Sequence, residues 1–212
     1  TEAFRSWSKT TPYERAEILV KSHSIMMERK EDLARTMTLE QGKPLRAARN
    51  EVQYAADFLS WFAEEAKRIY GETIPSARPD QRFIVSYQAL GVVAAVTPWN
   101  YPVSMITRKV GPALAAGCTV VLKPAEATPL SAIKVFECLA DAGIPPGVVN
   151  LVTALDPEPI GEEFVSNPNV RKLTFTGSTA VGKMLAGQAA ANMKRVSCEL
   201  GGHAPFLVFE DA

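Results

Sequence analysis

The sequence predicts an α/β fold, a parallel sheet with helices on both faces. Three observations carry the prediction. From Gly91 onward five short apolar runs, at residues 92–96, 119–122, 148–152, 173–176 and 195–198, alternate with helical stretches. Strands that alternate with helices build parallel sheets covered on both sides. One of the helices carries its own punctuation, with Thr128 as N-cap, Pro129 in the first turn, and Gly143 before Pro145-Pro146 at the end. Finally, 212 residues with 47% apolar side chains supply enough hydrophobic surface for a sizeable core.

Taken in order, residues 1–70 read as an N-terminal helical layer. Ile18, Leu19, Ile25, Met26, Leu33 and Met37 recur at helical spacing, as do Ala48, Val52, Ala55, Phe58 and Phe62, with charges on the opposite faces. Two amphipathic helices are therefore expected, separated at Gly42-Lys43-Pro44, where glycine permits a left-handed cap and proline stops continuation. Residues 71–90 read as an extended ribbon: Ile74-Pro75 and residues 82–87 are strand-like, and Arg78-Pro79-Asp80 forms the turn. A lone ribbon is marginally stable, so it is expected to lean on another domain or subunit. Residues 91–212 hold the five strands. The helix opened by Thr128 is expected to bury Leu130, Ile133 and Phe136.

Charge excludes several partners. Twenty-three basic and twenty-three acidic residues cancel, so no net field draws nucleic acid or an anionic membrane, and neither is expected as a partner. Residues 86–107 are uncharged, but Gln88, Pro98, Asn100 and Pro102 make them a buried strand and loop rather than a membrane helix. Residues 1–8 carry no basic-then-apolar leader, and three cysteines without paired spacing fit a reducing compartment. The expected location is the cytoplasm. A start without methionine and a stop after Phe209-Glu210-Asp211-Ala212 lead to the expectation of a fragment of a longer polypeptide. His23 and His203 stand apart and support no metal site.

Four constellations can carry chemistry. The first strand runs into Thr97-Pro98-Trp99-Asn100, which lacks the glycine-rich turn of ordinary dinucleotide folds. Gly177 and Gly182 instead flank Ser178-Thr179 after the fourth strand, where backbone amides and a helix N-terminus can face a phosphate, or simply form a strand-to-helix turn. The stretch from Gly177 to Lys183 also satisfies all but the last position of a P-loop, but Met184 replaces the hydroxyl that holds magnesium, leaving a nucleotide hydrolase as a distant alternative. Lys123-Pro124-Ala125-Glu126 sits at the carboxyl edge of the second strand. Its ion pair is either a solvated one or a ribose contact, in which the carboxylate accepts from a 2′-hydroxyl and repels a 2′-phosphate, favouring NAD over NADP. Glu199 follows a strand and precedes Gly201-Gly202, a setting that can leave a carboxylate in a cleft, where desolvation suits it to proton transfer.

Read together and in order, Pro98-Trp99-Asn100-Tyr101-Pro102, Lys123 to Glu126, Phe175-Thr176-Gly177-Ser178 with Gly182, and Glu199-Leu200-Gly201-Gly202 resemble the aldehyde dehydrogenase superfamily, over essentially the whole chain. Trp61-Phe62-Ala63-Glu64-Glu65, Arg68-Ile69-Tyr70-Gly71 and Met105-Ile106-Thr107-Arg108-Lys109 look most like its succinate-semialdehyde dehydrogenases. The resemblance implies a Rossmann-like NAD-binding domain at 91–212, an oligomerisation element at 71–90, a catalytic domain outside this chain, and a homo-oligomeric parent, dimer or tetramer. It implies oxidation of a carboxylated semialdehyde, with NAD as cofactor and NADP possible: a cysteine thiolate attacks the aldehyde, a hydride passes to nicotinamide, and a glutamate activates the water that hydrolyses the thioester. In that scheme the Asn100 amide stabilises the oxyanion, Glu199 is the general base, and Arg108 pairs with the distal carboxylate of the substrate. Thr97, Pro98, Trp99, Lys123, Glu126, Gly177, Ser178 and Leu200 line the cofactor site. Cys118, Cys138 and Cys198 do not match the family nucleophile, which lies further along, and are expected to behave as small apolar core residues. The 212 residues alone are expected to bind NAD weakly and turn over no aldehyde. The alternative is a non-catalytic dinucleotide-binding module.

Overall fold

The structure, a computed structural model, describes residues 1–212. Its helices are α1 (Glu2–Trp7), α2 (Pro12–Glu28), α3 (Lys30–Gln41), α4 (Leu45–Ala66), α5 (Ser104–Ala115), α6 (Pro129–Asp141), α7 (Glu158–Ser166) and α8 (Thr179–Ala191). Strands β1 (Glu72–Pro75) and β2 (Arg82–Val85) form an antiparallel ribbon, exposed along its whole length. Strands β3 (Val92–Val96), β4 (Thr119–Lys123), β5 (Val149–Leu151), β6 (Val170–Gly177) and β7 (Arg195–Leu200) form a parallel sheet in the order β5-β4-β3-β6-β7. The five runs read from the sequence are these five strands.

Because β3 is central, the chain winds outward through β4 and β5 on one side and through β6 and β7 on the other. That reversal puts the topological switch point, where open α/β sheets bind ligands in a crevice, at the carboxyl ends of β3 and β6. Alternate residues of each strand face opposite layers. Val93, Ala95, Val120 and Leu122 join the larger core beneath α2 to α6, whereas Val92, Ala94, Leu173 and Phe175 join a smaller one beneath α7 and α8. The larger core runs without a break from Trp7 to Val148, so the helical layer and the sheet share one interior. Each fully buried side chain such as Leu19, Leu59 or Ile106 contributes about 1.5–3 kcal/mol relative to exposure.

Three local expectations are corrected. The first apolar stripe is two helices rather than one, since at Arg29 the backbone leaves helical values (φ −95°, ψ 13°) and the side chain reaches Asp141 at the end of α6 (2.5 Å). The bend lets α3 lie along α6 while α2 stays on α4. Helix α6 buries Ala132, Val135, Cys138 and Leu139 with Phe136 partly buried against the same core, but leaves Leu130 56% and Ile133 38% exposed, because the core-facing stripe runs through small Ala132. Thr128 holds the N-cap position, yet the cap bonds come from Glu40, whose carboxylate accepts from the amides of Leu130 (2.6 Å) and Ser131 (3.0 Å).

Candidate active site

The loop after β3 forms one wall of the crevice. Thr97 is buried, its amide donates to the Lys123 carbonyl at 3.2 Å, and its Oγ1 is buried with no protein partner. Pro98 follows, then Trp99, 59% exposed, and the exposed Asn100. The Asn100 carbonyl accepts from Lys43 Nζ at 2.7 Å. Beyond Pro102 the chain enters α5, whose first amides are capped by the buried carboxylate of Glu51.

The second wall is the end of β4. Lys123 is buried, donating to the Pro124 carbonyl at 3.0 Å and pairing with Glu126, whose side chain is 38% exposed, so the pair is not a fully solvated one. Burial alone would raise the Glu126 carboxyl, but the Lys123 hydrogen bond, its own backbone amide and the Lys123 charge outweigh it and hold the group below the ordinary carboxylate value. Beside it Pro124, Ala125, Glu126, Pro129, Thr153 and Leu155 line an open cleft of about 320 Å³.

The turn from β6 into α8 explains its glycines by space. A Cβ at Gly177 would lie 2.7 Å from the Phe175 ring, and one at Gly182 would lie 2.3 Å from Leu200 Cδ2, so Phe175 and Leu200 occupy the room side chains would need. Ser178 caps α8, its Oγ accepting from the Val181 amide at 3.4 Å. Residues 179–183 are already helical, so the stretch forms no phosphate-wrapping P-loop, and the nucleotide-hydrolase alternative falls. The turn beyond β7 is tied to the same helix, since Thr179 Oγ1 donates to the Gly201 carbonyl at 3.0 Å.

Glu199 lies on β7 rather than in a tight turn, and its side chain is 58% exposed, so the burial argued for it from the sequence is absent. Its partner is Arg108 of α5, Nη2 to Oε2 at 3.1 Å. The structure therefore brings Arg108 and Glu199 together. Lys109, the next residue, donates to Thr174 Oγ1 on β6 at 3.0 Å; burial first and the neighbouring Arg108 charge second push its ammonium down to about 8. Cys118 and Cys138 are buried as expected, but Cys198 is exposed, because no layer covers the edge strand here.

The sequence profile described as the aldehyde dehydrogenase family matches residues 1–212, the whole chain. The chain belongs to the aldehyde dehydrogenase family. It is 58% identical to the succinate-semialdehyde dehydrogenase [NADP(+)] GabD of Escherichia coli over 210 residues, 99% of this chain and 43% of that protein. It is 57% identical to a glutarate-semialdehyde dehydrogenase of Pseudomonas aeruginosa over 211 residues, 100% of this chain and 44% of that protein. The crystal structure of an aldehyde dehydrogenase from Brucella melitensis biovar abortus superposes with a TM-score of 0.95 at 54% identity, covering 100% of this chain and 44% of that one. The chain thus spans under half the length of the relatives it matches.

An aldehyde dehydrogenase of this family uses a nicotinamide dinucleotide, and the residues present fit one. Thr97 Oγ1 is a buried polar atom without a partner at the crevice, and Lys123 offers a buried ammonium beside an open cleft of ligand-pocket size. Sequence reading missed Lys109, Lys43 and Glu51. Signals existed for two of them: Glu51 interrupts the apolar stripe of Ala48, Val52 and Ala55, and Lys109 precedes the fully buried Val110 on a helix that faces the sheet.

Proposed function

We propose that the protein carrying this chain oxidises a semialdehyde with a carboxylate at its far end, succinate semialdehyde or a close analogue, to the acid, with NAD as the preferred hydride acceptor. The contact between Arg108 and Glu199 carries the reading, because it sets a half-exposed guanidinium beside the carboxylate assigned as general base. An exposed pair of this kind contributes under about 1 kcal/mol. A substrate carboxylate can therefore take the guanidinium bidentately and leave Glu199 free to face water. The E. coli and Pseudomonas relatives, a succinate-semialdehyde and a glutarate-semialdehyde dehydrogenase, support the choice of a carboxylated semialdehyde.

In this scheme a thiolate outside these residues attacks the aldehyde, and the Asn100 side-chain amide donates to the oxyanion. NAD, when bound, accepts the hydride. Glu199 then takes the proton of the water that cleaves the thioester. Thr97, Pro98, Trp99, Gly177, Ser178 and Leu200 line the cofactor crevice, with Lys123 and Glu126 on the ribose. Residues 1–70 form the helical layer, 71–90 the oligomerisation ribbon through exposed Ile74, Phe83 and Ile84, and 91–212 the cofactor domain of a cytoplasmic homo-oligomer.

Substituting Arg108→Met in the full-length protein should raise KM for succinate semialdehyde by on the order of 10–100-fold, the value of a charged hydrogen-bonded contact. KM for butanal, which has no carboxylate, should hardly move. An equal rise for both aldehydes would sink the proposal.

A further inference from the structure

Two charged side chains from the helical layer grip the central loop of the crevice. Glu51 of α4 is 3% exposed, and its Oε1 accepts from the amides of Val103 (3.0 Å) and Ser104 (3.1 Å) and from Ser104 Oγ (3.4 Å). Its other oxygen pairs with Lys43, in the connection between α3 and α4. The Lys43 ammonium in turn donates to the Asn100 carbonyl at 2.7 Å and lies 4.1 Å from the centre of the Tyr101 ring. The loop is held at residues 100, 101, 103 and 104 by one ion pair.

Little else holds it. No backbone–backbone hydrogen bond involves Pro98, Trp99 or Asn100, so the Lys43 contact is the hydrogen bond that fixes the backbone from which the Asn100 amide projects. A buried ion pair is an expensive way to stabilise a fold, since apolar residues of similar volume do as well or better. Position 51 lies in an apolar stripe where Leu or Met would serve packing alone. The charges make sense as geometry: donors to a developing oxyanion must be in place before the charge appears, and a displacement of about 1 Å can cost on the order of 100-fold in rate.

We infer that Lys43 and Glu51 are positioning residues, a clamp that sets the Asn100 amide for oxyanion stabilisation; the inference rests on the proposed role of Asn100. In the full-length enzyme, Lys43→Met should lower kcat by on the order of 100-fold with KM changed far less. Lys43→Arg, which keeps a cation with several donors, should recover most of the loss. Glu51→Gln, which keeps an acceptor for the two amides, should fall between wild type and Lys43→Met and guards against misfolding on larger truncation. Combined with Asn100→Ala, Lys43→Met should cost nothing further, because its effect passes through that amide. Full additivity of the two losses would overturn the clamp.

A second readout is independent of what Asn100 does. Hydrogen–deuterium exchange of peptides covering residues 97–104 should quicken in Lys43→Met and return toward wild type in Lys43→Arg; exchange unchanged in both Lys43→Met and Glu51→Gln would refute the clamp outright. Should Asn100→Ala alone leave kcat intact, the oxyanion role fails while the exchange experiment still decides whether the clamp exists.

Discussion

Asn100 and Glu199, the two groups assigned to chemistry, are held in opposite ways. Asn100 lies in the loop after the central strand, above buried residues on both faces of β3, with its carbonyl gripped by a largely buried ammonium. Glu199 lies on the edge strand β7, where all residues but Val196 are exposed, and its single side-chain partner is a half-exposed arginine. The difference matches the work proposed for each. A donor to an oxyanion gains from being fixed beforehand, whereas a base that serves a late water must release its resting partner and turn. Substitutions around Asn100 should therefore act through geometry, and substitutions at Glu199 through chemistry alone.

The sharpest way to break that comparison is Glu199→Gln in the full-length enzyme. Loss of a general base costs roughly 10²–10⁴-fold in steady-state rate, while an exposed substitution leaves stability within about 0.5 kcal/mol. In the proposed scheme the base acts after hydride transfer, so a rapid burst of reduced cofactor, one per site, should precede the slow phase. Absence of the burst, with the first turnover as slow as the rest, would move Glu199 to an earlier step and erase the contrast with Asn100.

Lys109 links the two regions, standing on α5 behind the Asn100 loop and bonding to β6, the neighbour of β7. Its ammonium titrates near 8 in the folded protein against 10.5 ordinarily. Between those values the unfolded chain holds more protons than the folded one, so stability rises with pH across the window; the penalty is complete below pH 8 and gone above about 10.5. Its size is about 3 kcal/mol. Lys109→Met should therefore stabilise the protein at pH 7, offset in part by the lost Thr174 bond, and the advantage should fade as pH climbs toward 10.5. Urea unfolding of wild type and variant at several pH values measures it, and a pH-independent difference would mean that Lys109 is not held in its depressed state.

The sequence made the sheet legible because each strand is a short apolar run bounded by Gly, Pro or charge, and its parallel sense followed from the alternation with helices; the spatial order β5-β4-β3-β6-β7 is set by tertiary packing and came only with the structure. The loop carrying Asn100 was legible through its prolines and its resemblance to one family. What held that loop was not. Lys43 and Glu51 lie eight residues apart at a helix start and meet residues 100 to 104 only in the folded chain, so local periodicity counted Glu51 as one charge among many. Helix α6 was misread in part for a related reason: its spacing allowed two apolar faces, and packing against α2, α3 and β5 chose the one with Ala132. Glu199 was misjudged because two following glycines read as a tight turn, whereas β7 continues through Leu200 before the chain bends.

Between the gripped loop and the open edge strand lies an intermediate case, the rim at the end of β4. Lys123 is 6% exposed there and Glu126 38%, so the pair has one fixed member and one with an open edge that can meet a ligand. On the proposed reading the carboxylate at this rim accepts from a ribose 2′-hydroxyl and repels a 2′-phosphate, and one such contact is worth on the order of 1–2 kcal/mol. Glu126→Ser should weaken NAD by a few-fold and strengthen NADP by about tenfold, because the serine removes the repulsion and leaves the Lys123 ammonium unpaired beside the phosphate. Titration calorimetry with both dinucleotides measures each arm separately. Equal affinities in the unsubstituted protein would defeat the repulsion argument and align its cofactor choice with the NADP-dependent E. coli relative. A gain for NADP without loss for NAD would instead keep the repulsion and discard the hydrogen bond, showing that the free member of the pair selects by charge alone.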